Sequence, residues 1–293
     1  MSIYLTGASG FIGNNLINKF YNDFKIIKHV RGSKFSINQN TVIHLAGKAH
    51  DLKNISNKDE YYKVNTELTK QIFDSFLISD STTFIMLSSV KAVADSVIGI
   101  LSEDCKPKPK TYYGKSKLLA ENYILSKNIP KNKRVYILRP CMIHGPNNKG
   151  NLNLLYKLVS KRIPWILGSF QNKRSYCSID NLLFIINELI QNNTIPSGVY
   201  NVADDGYLST KEIISLIANS NNQKPFFINL SPFIVKFIAK IGDIIPLPLN
   251  SERLKKLTES YMVNNEKIKK YIAKELPLTS REGIIKTLES FKN

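Results

Sequence analysis

Short apolar runs alternate with amphipathic stretches along the first half of this 293-residue chain. The short runs are typical of buried strands, whereas the longer stretches repeat their apolar residues with the period of a helix. Such alternation predicts an α/β fold with a doubly wound parallel sheet covered by helices on both faces. We expect strands at 3–6, 25–30, 41–45, 83–88 and 134–138, and helices at 11–21, 59–78 and 113–127.

The pattern changes after Gly145 and Pro146. A loop rich in Asn and Gly precedes a helix predicted at 154–161, and the remainder from Ser209 is mainly helical and punctuated by prolines. We expect a smaller, partly helical C-terminal lobe that closes over the sheet edge. Further elements are predicted at 175–179 (strand), 180–191 (helix) and 199–202 (strand), and the division expected is 1–146 with 171–205 for the sheet domain and 147–170 with 206–293 for the lobe.

The most apolar stretch, residues 232–248, is interrupted by two lysines and an aspartate. It is too short and too charged to span a bilayer, so no integral membrane segment is expected. Phe233, Phe237 and Ile241 recur at helical spacing. We expect them to form the buried face of a packed helix, in preference to a helix that lies on a membrane surface.

The formal net charge is strongly positive, at +18, and the isoelectric point is near 9.6. Lysines are scattered along the whole chain without a block of like charge, so we interpret them as solvated surface residues and expect no nucleic-acid partner. The charge would still attract a dianionic substrate.

Three cysteines, Cys105, Cys141 and Cys177, lie far apart. No cysteine or histidine spacing matches a metal site, so we expect no metal and free thiols in a reducing compartment. The first predicted strand begins at residue 3, which leaves no room for a signal peptide, and a cytoplasmic location is expected.

A glycine-rich turn follows the first predicted strand and reads Thr6-Gly7-Ala8-Ser9-Gly10-Phe11-Ile12-Gly13. The apolar spacing after the turn predicts a helix, which disfavours a flexible surface loop. A strand, a glycine turn and a helix N-terminus can hold the pyrophosphate of a dinucleotide, because the backbone N–H groups at the helix start attract anions.

Tyr113 and Lys117 are four residues apart in a predicted helix, so both side chains lie on one face. An ammonium beside a phenol favours the ionised phenol and makes it a usable proton carrier. A dinucleotide site followed by such a pair predicts an oxidoreductase.

Nine segments in order resemble the extended short-chain dehydrogenase/reductase family, the NAD-dependent epimerase/dehydratase group that acts on nucleotide sugars. The resemblance covers most of the chain and implies a Rossmann-like NAD(P)-binding domain with a nucleotide-sugar substrate domain. The segments are 6–13, Val42-Ile43-His44-Leu45-Ala46-Gly47, Val64-Asn65, Leu87-Ser88-Ser89, Tyr113-Gly114-Lys115-Ser116-Lys117, Leu138-Arg139-Pro140, His144-Gly145-Pro146, Arg174-Ser175-Tyr176 running into Ile179-Asp180-Asn181, and Gly198-Val199-Tyr200-Asn201-Val202.

The resemblance implies which residues bind the cofactor. The turn glycines would wrap the pyrophosphate, and Ala46 and Gly47 would line the adenosine-ribose side. The full implied set is Gly7, Gly10, Phe11, Ile12, Gly13, Leu45, Ala46, Gly47, Asn65, Tyr113 and Lys117.

The resemblance also implies the catalytic groups. Tyr113 would be the acid/base, Lys117 would hold the nicotinamide ribose and polarise Tyr113, and Ser89 would bind the reacting sugar oxygen. Ser88 competes for that last role, but the segment aligns with the family pattern without a gap when Ser89 is chosen. The substrate-binding set expected is Ser89, Lys91, Asn151, Arg174 and Arg253, with Arg174 on the substrate diphosphate.

Two departures from the family pattern carry information. Val90 and Lys91 stand where many dehydratases have Asp and Glu, which disfavours water elimination. Lys91 could reach a substrate oxygen or be a plain turn residue. Arg31 stands after the second strand, where an acidic residue would bind the ribose of NAD, and an arginine there favours NADP(H) unless it is an unrelated loop residue.

The expected chemistry is oxidation or reduction at C4 of a UDP-linked (N-acetyl)hexose. The pattern looks most like 4-keto sugar reductases of surface polysaccharide synthesis, and a UDP-glucose or UDP-N-acetylglucosamine 4-epimerase is the alternative. A homodimer is left open. A redox-sensing or RNA-binding protein on the same fold is disfavoured, because the catalytic residues are complete and no basic stripe with stacking aromatics is present.

Overall fold

The computed structural model describes residues 1–48, 57–148, 150–245 and 249–292. Its strands are β1 Ser2–Thr6, β2 Lys25–Lys28, β3 Thr41–His44, β4 Thr83–Leu87, β5 Ile100–Leu101, β6 Arg134–Pro140, β7 Met142–His144, β8 Tyr176–Ser178, β9 Gly198–Val202 and β10 Met262–Val263. Its α-helices are α1 Phe11–Phe20, α2 Lys58–Tyr61, α3 Leu68–Ile78, α4 Tyr112–Leu125, α5 Asn151–Ser160, α6 Ile179–Gln191, α7 Thr210–Ser220, α8 Pro232–Gly242, α9 Ser251–Thr258, α10 Glu266–Ile272 and α11 Ser280–Glu289. A π-helical segment, Tyr62–Glu67, joins α2 to α3, and a short 3₁₀ turn, Val90–Ala92, follows β4.

The central sheet has six parallel strands in the order β2-β1-β3-β4-β6-β9. The chain runs outward from β1 to β2 and then returns to β3 on the other side of β1. Open α/β sheets bind ligands at the carboxyl ends of strands where the order reverses in this way. The predicted doubly wound parallel fold is confirmed, and the site is expected beyond the ends of β1 and β3.

Both faces of the sheet are covered, as the continuous apolar character of its strands predicts. On one face, Leu16 and Phe20 of α1 pack with the apolar side of α6. On the other face, Phe73 and Phe76 of α3 pack with Ile124 of α4. The predicted elements of the first half agree with the structure to within a few residues, and β2, for example, ends at Lys28 instead of residue 30.

The C-terminal part of the chain is mainly helical and is tied back to the sheet by short strand pairs. Strand β10 pairs with β5, and β8 pairs with β7. Helices α5, α7 and α11 enclose an apolar cluster of their own. Helix α10 instead packs Ile268 and Ile272 onto the main sheet cluster. These pairings bring loops after β4 and β6 against the helical part.

The orientation predicted for α8 is wrong. Phe233 is 79% exposed and Phe237 is 59% exposed, and Ile241 is half-buried, whereas Val235 and Ala239 are fully buried. The reason lies at the end of the helix, since a Cβ at Gly242 would collide with the Leu249 carbonyl. The face with small residues therefore turns inward to allow close packing, and the aromatic face turns outward. No helix in the described part of the chain is long and apolar enough to cross a membrane.

Candidate active site

The glycine turn after β1 is pressed against the end of β3. Gly7 has φ of +73°, a backbone conformation that other residues rarely adopt. A Cβ at Gly7 would lie 2.5 Å from the Ala46 nitrogen and 2.6 Å from the Leu45 carbonyl carbon. The Ala46 N–H donates to Thr6 Oγ1 at 3.2 Å. The turn and the segment after β3 therefore form one continuous backbone wall.

The N-terminus of α1 is left uncapped by side chains. Its N-cap is Gly10, whose position carries no side-chain capping hydrogen bond, and the first turn holds no acidic residue. A Cβ at Gly13 would collide with the Gly7 carbonyl, which brings the helix start close to the turn. Phe11 and Ile12 pack their side chains against the core and leave their N–H groups at the helix end. These features fit a dinucleotide pyrophosphate, because free N–H groups and the helix dipole attract an anion.

Gly47 lies beside the side chains of Lys117 and Asn65. A Cβ at this position would lie 3.0 Å from Lys117 Nζ and 3.1 Å from Asn65 Oδ1. Asn65 is fully buried on the π-helical segment, and its amide donates to the Lys48 carbonyl at 3.1 Å and to Ser116 Oγ at 3.0 Å. Single π-helical turns occur frequently at functional sites. Asn65 thus fixes the chain after Gly47 against α4.

The ammonium of Lys117 is held in place by the carboxyl end of β4. Its Nζ donates to the Leu87 carbonyl at 2.9 Å, and the side chain is almost fully buried. Burial lowers the pKa of Lys117 to about 8, and the nearby Glu121 carboxylate partly opposes this shift. Lys117 is therefore a cation that can lose its proton within a physiologically accessible range.

Tyr113 stands at the start of α4 and shares a side-chain hydrogen bond with Ser89. The helix begins there because Thr111 caps it, accepting from the Gly114 N–H at 3.2 Å and donating to Asp95 at 2.9 Å. Burial raises the pKa of the half-buried Tyr113 phenol, and the bond with Ser89 partly opposes it. The predicted lowering of this pKa by Lys117 is wrong for the structure, because burial outweighs the neighbouring groups. The phenol is held protonated.

Ser88, the competing hydroxyl, is occupied elsewhere. Its Oγ donates a short hydrogen bond to Glu121, which is fully buried. Glu121 also accepts from the guanidinium of Arg139, with Nη2 at 2.6 Å and Nε at 3.1 Å. A buried ion pair requires such additional donors to satisfy its oxygens. Ser88 therefore supports a buried pair beneath the site, while Ser89 faces the phenol.

Lys91 extends from the 3₁₀ turn toward the C-terminal part of the chain. Its Nζ donates to the Asp95 carbonyl at 2.7 Å and lies 4.3 Å from the centre of the Tyr261 ring. Burial lowers the pKa of Lys91, and Asp95 opposes this shift. The Lys91 backbone N–H donates to Ser89 Oγ at 3.2 Å. One turn thus carries both the hydroxyl beside Tyr113 and a half-buried cation.

Arg174 lies next to this cation. Its backbone pairs with Leu208 and lies beside Tyr261, the residue whose ring faces Lys91. The Arg174 guanidinium donates to the Lys256 carbonyl of α9 at 2.6 Å and is half-buried. The structure therefore brings Ser89, Lys91 and Arg174 into one connected region with Tyr113.

The remaining predicted site residues are Arg253, Asn151 and Arg31. Arg253 is exposed on the first turn of α9, one turn before Lys256. Asn151 begins α5, and its side chain lies outside the described residues. Arg31 is exposed in a turn closed by the bond from the Ser33 N–H to the Val30 carbonyl, beyond the end of β2.

Several groups that shape the site were missed from the sequence. Glu121 lies one helical turn after Lys117, and this spacing could have indicated it. Tyr261, which faces Lys91, comes from a segment far away along the chain, and no local pattern indicates that contact. The carbonyls of Leu87 and Lys256 are backbone groups, so residue types carry no information about them.

The family model of the NAD dependent epimerase/dehydratase family matches residues 33–203. The match spans more than half of the chain, and the chain belongs to this family. It begins after the glycine turn, which the structure nevertheless places against the matched segment at Ala46.

Individual relatives agree with this assignment. The chain is 29% identical to the UDP-glucose 4-epimerase of Vibrio cholerae, over 99% of this chain and 95% of that protein. The fold resembles that of MoeE5 in complex with UDP-glucuronic acid and NAD, with a TM-score of 0.76, 18% identity and coverage of 100% and 99%. It also resembles RMD from Pseudomonas aeruginosa complexed with NADPH, with a TM-score of 0.74, 17% identity and full coverage of both chains. Both nicotinamide dinucleotides thus occur on this fold.

Proposed function

We propose that this protein oxidises and reduces C4 of a UDP-linked hexose or N-acetylhexosamine, and that C4 epimerisation is its reaction. The observation that carries the proposal is the hydrogen bond between Ser89 and Tyr113, at the start of the helix from which Lys117 reaches the end of β4 and approaches Gly47. The relative in Vibrio cholerae, a UDP-glucose 4-epimerase that matches almost the whole chain, supports the same reaction.

The proton is moved by the phenol of Tyr113. Ser89 Oγ holds the sugar oxygen at C4 and Tyr113 Oη exchanges a proton with it. The protonated phenol is the form that donates when a C4 ketone is reduced, and the phenolate is the form that accepts the proton when a C4 hydroxyl is oxidised. The Lys117 ammonium compensates the negative charge of the phenolate. When bound, the nicotinamide supplies the chemistry of hydride transfer to and from C4.

The cofactor is held by backbone and by few side chains. The N–H groups of the glycine turn and of Phe11 and Ile12 would bind the pyrophosphate, and Lys117 would bind the nicotinamide ribose. Leu45, Ala46, Gly47 and Asn65 line the wall opposite the turn. Arg31 would pair with a 2′-phosphate, which favours NADP(H). The sheet domain, 1–146 and 171–205, is thus the part that holds the cofactor.

The sugar nucleotide lies against the cationic region made by Lys91 and Arg174. A diphosphate matches these two charges, and the guanidinium offers two parallel donors. Asn151 and Arg253, which belong to the lobe expected at 147–170 and 206–293, would contact the nucleotide or sugar, as expected from the sequence.

A 4-keto sugar reductase is the second candidate. Two observations favour it: burial keeps the Tyr113 phenol protonated, as ketone reduction requires, and Arg31 suits an exchangeable NADPH. An epimerase returns the hydride to the same sugar, whereas a reductase consumes one NADPH for each product.

Product analysis separates the two. The purified protein is incubated with UDP-glucose and with UDP-N-acetylglucosamine in a catalytic amount of NAD(P), and the products are identified by NMR. An epimerase yields the C4 epimer without net cofactor consumption. A reductase leaves these sugars unchanged and oxidises NADPH when a UDP-4-keto sugar is supplied. Inactivity in both assays would refute the proposed function.

A further inference from the structure

Helix α8 presents an apolar strip to solvent. Phe233, Ile234 and Phe237 are 79%, 48% and 59% exposed, and Ile244 and Ile245, just after the helix, are 88% and 54% exposed. Isolated exposed apolar residues are ordinary, but five large ones within a single short segment form a patch. The helix therefore has two apolar faces, one packed inward and one unpartnered within the described chain.

Lysines border this strip. Lys236 and Lys240 lie three residues after Phe233 and Phe237 respectively, so each is adjacent to a phenylalanine on the helix surface. Both lysines are exposed. Long lysine side chains can keep their ammonium groups in a polar layer while the neighbouring apolar side chains enter a lipid phase.

Acidic groups near the strip are already engaged. Asp243 accepts hydrogen bonds from the backbone and hydroxyl of Ser251, and Glu252 pairs with Lys256 at 2.6 Å. The charged residues within α8 are both lysines, and the whole chain carries 41 basic and 23 acidic residues. The charge around the apolar strip thus matches an anionic surface.

A second copy of the chain fits this face less well. In a two-fold dimer the same patch meets itself, which would bring the lysines of both copies together. An anionic bilayer instead contributes the opposite charge along the whole strip.

We propose that α8 docks the protein on an anionic phospholipid bilayer, with Phe233, Ile234, Phe237, Ile244 and Ile245 inserted at the headgroup boundary and Lys236 and Lys240 on the phosphates. A helix with an apolar face and a basic polar rim lies in the plane of the interface and does not span it. The inward face, packed through Val235 and Ala239 against Leu254 of α9, stays in the protein.

Docking in this way would hold the candidate substrate region close to the membrane. Helix α9, which packs under α8, carries the Lys256 carbonyl that holds the Arg174 guanidinium. One helix layer thus separates the proposed lipid contact from the cationic region near Lys91.

Flotation with vesicles tests the proposal. The full chain is mixed with vesicles of phosphatidylglycerol and phosphatidylethanolamine, or of phosphatidylcholine alone, and floated through a density gradient. We expect the protein to float with the anionic vesicles, to stay behind with phosphatidylcholine, and to be released as salt screens the lysines. The double variant Phe233→Ser/Phe237→Ser and the double variant Lys236→Glu/Lys240→Glu should each lower the bound fraction about tenfold.

The matched control is Ile78→Ser/Ile98→Ser, which removes two exposed apolar side chains far from α8 in sequence. It should float like the wild type, and circular dichroism should show that all variants remain folded. Failure of the wild type to float with anionic vesicles would overturn the proposal. A concentration-dependent dimer that the Phe233→Ser/Phe237→Ser variant dissociates would overturn it in favour of a second copy. Because flotation needs no substrate, these outcomes are independent of the proposed enzymatic reaction.

Discussion

The Lys117 ammonium donates a hydrogen bond of 2.9 Å to the Leu87 carbonyl oxygen at the carboxyl end of β4. The bond ties α4 to the sheet edge where parallel strands present ligands. It also holds the ammonium 3.0 Å from where a Cβ at Gly47 would stand, so a larger residue at this position would have to displace the end of the lysine side chain. The Lys117 ammonium therefore links α4 to the end of β4 and lies beside the segment after β3.

The charge of this cation gives a pH dependence. Burial lowers the pKa of Lys117 to about 8, so the fraction of protein with a charged ammonium falls as pH rises through 8. If the charged form binds the nicotinamide ribose, cofactor affinity is full below pH 8 and weakens above it by at most about tenfold per pH unit. Isothermal titration calorimetry of cofactor binding, repeated at pH values from about 6.5 to about 9.5, measures this loss of affinity.

The control for that experiment is Lys117→Met, which should bind the cofactor more weakly at low pH and without the pH dependence. A wild-type affinity that stays constant across the range would show that the Lys117 charge plays no part in binding.

The two neighbouring serines should respond differently to alanine substitution. Ser89→Ala removes the hydroxyl beside Tyr113 and should lower kcat about 10²-fold with little change in melting temperature. Ser88→Ala leaves the buried Glu121 without one donor and should lower the free energy of unfolding by about 1–3 kcal/mol, with kcat close to that of the wild type. The reverse pattern would assign the catalytic hydroxyl to Ser88.

The buried ion pair beneath the site should matter for stability. Glu121→Ala strands the Arg139 guanidinium in the interior and should cost about 3–5 kcal/mol in denaturant unfolding. The exposed pair between Glu252 and Lys256 is the comparison, and Glu252→Ala should cost less than about 1 kcal/mol. Equal losses of unfolding free energy for the two substitutions would show that the buried pair stabilises the protein no more than the exposed pair does.

Arg31 makes the cofactor preference testable. The wild type should bind NADPH more tightly than NADH by about 1.5–3 kcal/mol, the worth of one charge-assisted hydrogen bond, and Arg31→Asp should remove or invert this difference. Lys19→Ala, a substitution at the far end of α1, serves as the control for general charge effects. If the wild type binds both cofactors equally, Arg31 is an unrelated loop residue.

Much of the fold was predictable because most strands of the central sheet are short, mainly apolar and buried, with β2 (Lys25–Lys28) as the exception. The segment that forms β3 is buried at every position, so its hydrophobic run was sufficient to identify it. The glycine turn was predictable for a similar reason, since Gly7 has a positive φ and a close backbone neighbour that exclude other residues.

Other features depend on contacts between distant segments. The sequence of α8 is apolar on two faces, and which face turns inward is decided by the approach of Leu249 to Gly242. The pKa of Tyr113 was predicted with the wrong sign because its burial arises from the assembled site and not from its spacing to Lys117. Tyr261 reaches Lys91 across most of the chain, and no pattern in either segment indicates this.

The measurement that tests the central claim most directly is the turnover of Tyr113→Phe, with UDP-glucose, UDP-N-acetylglucosamine and a UDP-4-keto sugar as substrates. The variant loses the phenolic proton but keeps the ring packed against Tyr61. Our account predicts that kcat falls about 10²–10⁴-fold for every substrate that the wild type converts, while the dissociation constant of the cofactor changes only a few-fold. Turnover by Tyr113→Phe at the wild-type rate would contradict it.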